Sequence, residues 1–240
     1  MSNPPAKTIL WTICLLLAPA VLIAIELFHP AGFTAEPGMY QFLSKPEPYQ
    51  PRFMALGYFG PPWWFALHMI QTPMVCLVAI GLWLIVDNVD RPIPAVVAAW
   101  LARIATLVFV IYYTVLDGIG GIGLGRTIVV AENLAASGKL TPQQLDGVVL
   151  LLNTVWTDPW VGGVGSFVSL TGSWAAFVAA LLTALALLLS RRAPWPPLLV
   201  LVAFGWELQT SHAALHGPIA FALLIVAASW IWLAARRGTA

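Results

Sequence analysis

The chain reads as an all-α bundle of six transmembrane helices, on three observations: its apolar content, six apolar runs of spanning length, and the distribution of its lysines and arginines. Of its 240 residues, 60% are hydrophobic and only 9% are charged, with a mean hydropathy of +0.87. A soluble domain of this length does not carry so little polar surface, so lipid is the solvent for most of it. The net charge of +1 leaves no basic face for nucleic acid, which is excluded as a partner. Cys14 and Cys76 sit inside apolar runs, too few for a disulfide framework, and read as buried thiols.

A membrane helix needs about 20 mainly apolar residues. The candidate spans are 8 to 28, 62 to 86, a third beginning at 95 or 104 and ending at 116 or 125, then 166 to 190, 196 to 216 and 218 to 235, all in one membrane domain, 1 to 240. The first is as long as a span and lacks a small-residue cleavage site before Glu26, so it reads as an uncleaved anchor. If the six alternate, Lys7, Arg91, Arg191, Arg192, Arg236 and Arg237 share one side, which the positive-inside rule makes cytoplasmic along with both termini.

The opposite side then carries two long connections, 29 to 61 and 126 to 165. Proline, glycine and aromatics dominate the first, as suits a structured cap at the lipid headgroups. In the second, Thr141, Pro142 and Gln144 spell a capping box that opens a short helix. For the third span the preferred register runs from Arg103 to Arg126, which sets an arginine near each interface and moves Asp117 into the membrane.

Charged groups in hydrocarbon are costly and mark functional sites. Glu26, Asp117 and Glu207 are the intramembrane carboxylates, and with His29, His68, His212 and His216 they all fall in the outer half of the bundle. His212 and His216 stand four apart, so a span that stays helical to residue 216 presents both imidazoles on one face. His68 is the natural third ligand for zinc or copper, with Asp117 and Glu207 as oxygen ligands and Glu26 and His29 in support. Three readings remain open for these residues: metal or single b-type haem ligation, with His68 opposite His212 or His216; a proton relay or substrate contact; and a polar hairpin rim turned by Gly217 and Pro218.

The glycines of "DGIGGIGLG" match a dinucleotide fingerprint in spacing but lack the preceding strand, so Gly121 and Gly125 read as a small-residue pair that lets a neighbouring helix approach closely. Pro73 is expected to bend the second span beside His68, with Gln71 and Thr72 on the same cavity.

The segments "FALHMIQTPMVCLVAIGLWLIV" and "VFVIYYTVLDGIGGIGLG", with "HPAGFT" after the first span, resemble a group of uncharacterised bacterial six-helix membrane proteins. That resemblance implies a fold more than an activity, and the location read from the spans is a bacterial inner membrane. His68, Asp117 and the His212/His216 pair also resemble the zinc ligand pattern of ceramidase and adiponectin-receptor-type membrane hydrolases. The chain departs from it in having Trp64 where that pattern has serine, and six spans instead of seven. The expected functions are accordingly binding of a metal, haem or small ligand in an outward cavity, coupled transport, a non-catalytic subunit role with membrane-protein partners or as a homo-oligomer, or zinc-dependent hydrolysis.

Overall fold

In a computed structural model that describes residues 5–31, 38–52 and 54–237, every regular element is helical. The helices are α1 (Ala6–Glu26), α2 (Met39–Ser44), α3 (Pro61–Ile85), α4 (Ile93–Ala136), α5 (Pro142–Trp156), α6 (Phe167–Leu189), α7 (Trp195–Thr210) and α8 (His216–Arg237). A 3₁₀ turn, Glu47–Arg52, follows α2. The Gly32–Thr34 portion of "HPAGFT" lies outside the described residues.

Six of these helices close a ring by packing in the order α1, α3, α4, α6, α7, α8 and back to α1. Five are long and apolar enough to cross a membrane: α1, α3, α4, α6 and α8. The sixth member, α7, has only 16 residues, about 24 Å at 1.5 Å per residue, short of a hydrocarbon core of about 30 Å. The sequence pattern extended it to residue 216, but the helix stops at Thr210 because Ser211 turns to extended backbone (φ −167°, ψ 147°). The Ser211 hydroxyl then accepts the Ala213 N–H. Leu215 sits at φ +75°, and α8 opens at His216, with Gly217 and Pro218 in its first turn instead of a hairpin. Proline suits that turn, where its missing N–H would have no partner.

Two departures from α geometry have sequence causes. The π segment Ile13–Leu17 in α1 precedes Pro19, whose missing N–H interrupts the ladder one turn back. In α4, both candidate registers of the third span merge into one helix of 44 residues, interrupted only by the glycine-rich π segment Asp117–Gly123. The expected helix after the capping box is present as α5: Gln144 N–H donates to Thr141 Oγ1 at 3.3 Å, and Thr141 N–H to Gln144 Oε1 at 2.8 Å.

The core is lined by small residues where helices come closest. Ala175, Ala176, Ala179, Ala180 and Ala184 line the buried face of α6, and Gly121 and Gly125 of α4 meet α3, Gly125 lying 2.8 Å from Trp64 if given a Cβ. Without a hydrophobic effect between helices in lipid, such close backbone approach supplies the packing energy. One end of the ring is tied by ion pairs, Lys7–Asp87 at 2.7 Å and Arg192–Asp90 at 3.0 Å, while Arg103 stacks on Trp100. The histidines occupy the other end.

Candidate metal centre

Three segments deliver the histidines. His29 lies just past the end of α1, His68 two turns into α3, and His212 in the α7–α8 loop. Their ligand atoms all lie within 4.8 Å of one another. Ring centroids are 5.2 Å apart for His29 and His68 and 4.9 Å for His29 and His212. The two peripheral loops are also tied by backbone, since Ala214 N–H donates to the His29 carbonyl at 3.2 Å.

Two of the rings have their tautomer set by the main chain. His29 Nδ1 lies 2.8 Å from the Pro30 carbonyl, and His68 Nδ1 lies 2.7 Å from the Trp64 carbonyl. A carbonyl only accepts, so each Nδ1 carries the proton and each Nε2 presents a lone pair. Among the described residues, His29 Nε2 is buried with no hydrogen-bond partner.

The π segment explains how His68 fits. A side chain at Gly121 would overlap the His68 ring, so only glycine lets α4 pass this close. Within the same segment the Gly120 carbonyl accepts the Trp64 indole N–H at 3.0 Å, and Trp64 in turn packs on His68 with centroids 4.5 Å apart. Such π segments recur at functional sites.

Asp117 opens that segment and lines the same cavity as the three histidines, a space of about 400 Å³. Asp117 Oδ2 is 3.0 Å from the Thr72 hydroxyl, which also lies 2.9 Å from the His68 carbonyl. One hydroxyl proton serves only one of them at a time. Among the described residues, Asp117 Oδ1 is buried without a partner, as are both carboxylate oxygens of Glu26, which sits within electrostatic reach of Asp117. Gln71 Nε2 donates to the Tyr113 hydroxyl at 2.6 Å, and Tyr113 packs against His212.

The structure thus brings His68, His212 and Asp117 to one cavity, with His29 beside them and His216 outside it. His216 leaves the set: with α7 ending at Thr210 it shares no helical face with His212, and its Nδ1 pairs with Glu207 Oε2 at 2.7 Å on a partly exposed surface. His29, placed in support by sequence, takes its position. The only sequence signal for this was its location directly after the first span. Glu207→Gln is expected to shift stability by no more than about 1 kcal/mol, because both partners are partly solvated. A thermal midpoint unchanged within a few degrees, with metal affinity retained, checks this.

Burial pushes the His29 imidazole down to about 4, against the opposing pull of its hydrogen bond to Pro30. Between pH about 6.5 and 4 the unfolded chain therefore binds a proton that the metal-free folded chain does not. Stability falls as pH falls through that window, by up to about 3 kcal/mol. Unfolding of the metal-free protein should show this loss, and it should be smaller in His29→Asn. A wild-type stability flat from pH 7 to 4.5 contradicts the burial of this ring.

The fold and site together define a helical protein with the make-up of a multi-pass membrane protein and a histidine triad that could hold a metal ion. No protein-family model, curated protein or solved structure matches the chain.

Proposed function

We propose that this chain is a multi-pass membrane protein that binds one divalent transition-metal ion, zinc or copper, through His29, His68 and His212, with a further coordination position facing the cavity beside Asp117. The convergence of three imidazoles, two with Nδ1–H committed to backbone carbonyls, carries the reading. A buried lone pair without a donor costs about 1–3 kcal/mol, and among the described residues His29 Nε2 is such an atom, so a cation held there removes that cost. Imidazole nitrogens suit zinc and copper, and a three-histidine set with an open position is the arrangement of catalytic zinc sites. Tetrahedral ligation at about 2.0–2.1 Å needs nitrogens about 3.4 Å apart, so binding draws the three rings in from separations of up to 4.8 Å.

The same convergence disfavours a b-type haem. Two axial histidines must face each other across a flat macrocycle, whereas the third imidazole here lies within 5.2 Å of His68 and 4.9 Å of His212, where the macrocycle would have to pass. Lysine and arginine placement favours cytoplasmic termini and a site near the opposite face.

Metal analysis and cobalt substitution test the assignment. Purified protein reconstituted in nanodiscs should take up one cobalt per chain with visible ligand-field bands, and zinc should displace it. No stoichiometric uptake of zinc, copper or cobalt sinks the proposal.

A second reading, coupled cation transport, draws on one observation: among the described residues, Glu26 is fully buried with both oxygens unpartnered, a cost that a carrier of protons or cations has reason to bear. It expects metal flux in proteoliposomes that Glu26→Gln abolishes while equilibrium metal binding persists.

A further inference from the structure

The cavity above the triad is larger than an ion and its waters require. At about 400 Å³ it falls in the range of small-molecule sites, about 300–1,000 Å³, whereas a water occupies about 30 Å³ of liquid. Its chemistry is graded. At the closed end lie His29, His68 and Asp117, each no more than 3% exposed. At the open end, Leu170 and Val164 line the cavity while remaining 49% and 75% exposed.

This polarity is the reverse of what an aqueous path for a hydrated cation would present, because large apolar side chains at an opening exclude water and favour hydrocarbon. The end of α7 adds Gln209, Thr210 and Ser211 to the lining, and Ser169 and Ser173 of α6 line it beside Leu170. The lining therefore mixes exposed apolar side chains with hydroxyl and amide groups, the condition an amphiphile meets at the edge of a bilayer.

From this gradient, and resting on the metal assignment above, we propose that the cavity binds a membrane-borne single-chain amphiphile: an oxygen headgroup completes the coordination of the ion, and the chain leaves along Leu116, Leu170 and Val164. Leu116, on the turn before Asp117, continues the apolar lane inward.

Alkyl hydroxamates test this in the full chain loaded with cobalt in phosphatidylcholine nanodiscs, where no detergent competes. Binding is read from the shift of the cobalt bands. Each buried methylene is worth about fourfold in affinity, so hexanohydroxamate should bind at least about tenfold more tightly than acetohydroxamate. In the double variant Leu116→Ala, Leu170→Ser that ratio should fall below about threefold. A wild-type ratio near one overturns the proposal, as does a large ratio that survives in the double variant, since the gain then comes from partition into the bilayer. Absence of cobalt bands before any hydroxamate is added overturns the metal assignment itself, which separates the two failures.

Discussion

His29→Ala is expected to lower zinc or cobalt affinity by at least about 100-fold, because even the hydrogen-bond partners of metal ligands are worth about 10–100-fold. His216→Ala should leave the affinity within a few-fold of wild type. The pair of variants separates the triad from a site built on the His-x-x-x-His spacing, which requires the opposite ranking. Competition titration with a chromogenic chelator measures both. Equal losses in the two variants would mean that the α7–α8 loop rearranges to bring His216 inward, against its pairing with Glu207 at 2.7 Å.

The largest stability effect is expected from Gly121→Val. Its branched side chain meets the His68 ring, and forcing extra methyl groups into a packed interface costs about 1–3 kcal/mol or more. His68 must move or α3 and α4 must separate, so metal affinity and thermal stability fall together. Gly118→Ala is the control three residues earlier, where no atom of the described residues lies within 4 Å of an added Cβ. Removing a helical glycine there is expected to be neutral or to stabilise by up to about 1 kcal/mol. A Gly121→Val protein as stable as wild type and still able to bind cobalt would show that the helices do not approach as described.

The helical architecture was legible because lipid imposes a length and a composition on every span, and α1, α3, α6 and α8 fall close to their apolar runs. The α5 capping box was equally legible, since Thr141 and Gln144 act through bonds within four residues. What the pattern missed is the end of α7. Hydropathy continues through Ala213, Ala214 and Leu215, so nothing apolar marks the break; it depends on the Ser211 conformation and on the bond from Ala214 to the His29 carbonyl, a contact between distant segments. The same missed break set His216 beside His212, because a helical His212–His216 face exists only if the helix continues. His68 and Asp117 were recoverable as polar residues in apolar runs, and Gly121 as part of a small-residue pair, but its role against an imidazole ring was not.

Beside the 44 residues of α4, about 66 Å long, the 16 residues of α7 span about 24 Å. Hydrophobic mismatch of this kind is relieved by local thinning of the bilayer around the short element. Irregular backbone at hydrocarbon depth persists only where protein or a cavity surrounds it, and Ser211–Ala213 line the cavity. The dimple that α7 imposes would draw the headgroup layer down toward His212, so that membrane thickness itself becomes a variable of the site: thick, sterol-like bilayers would bury the opening and thin ones would bare it.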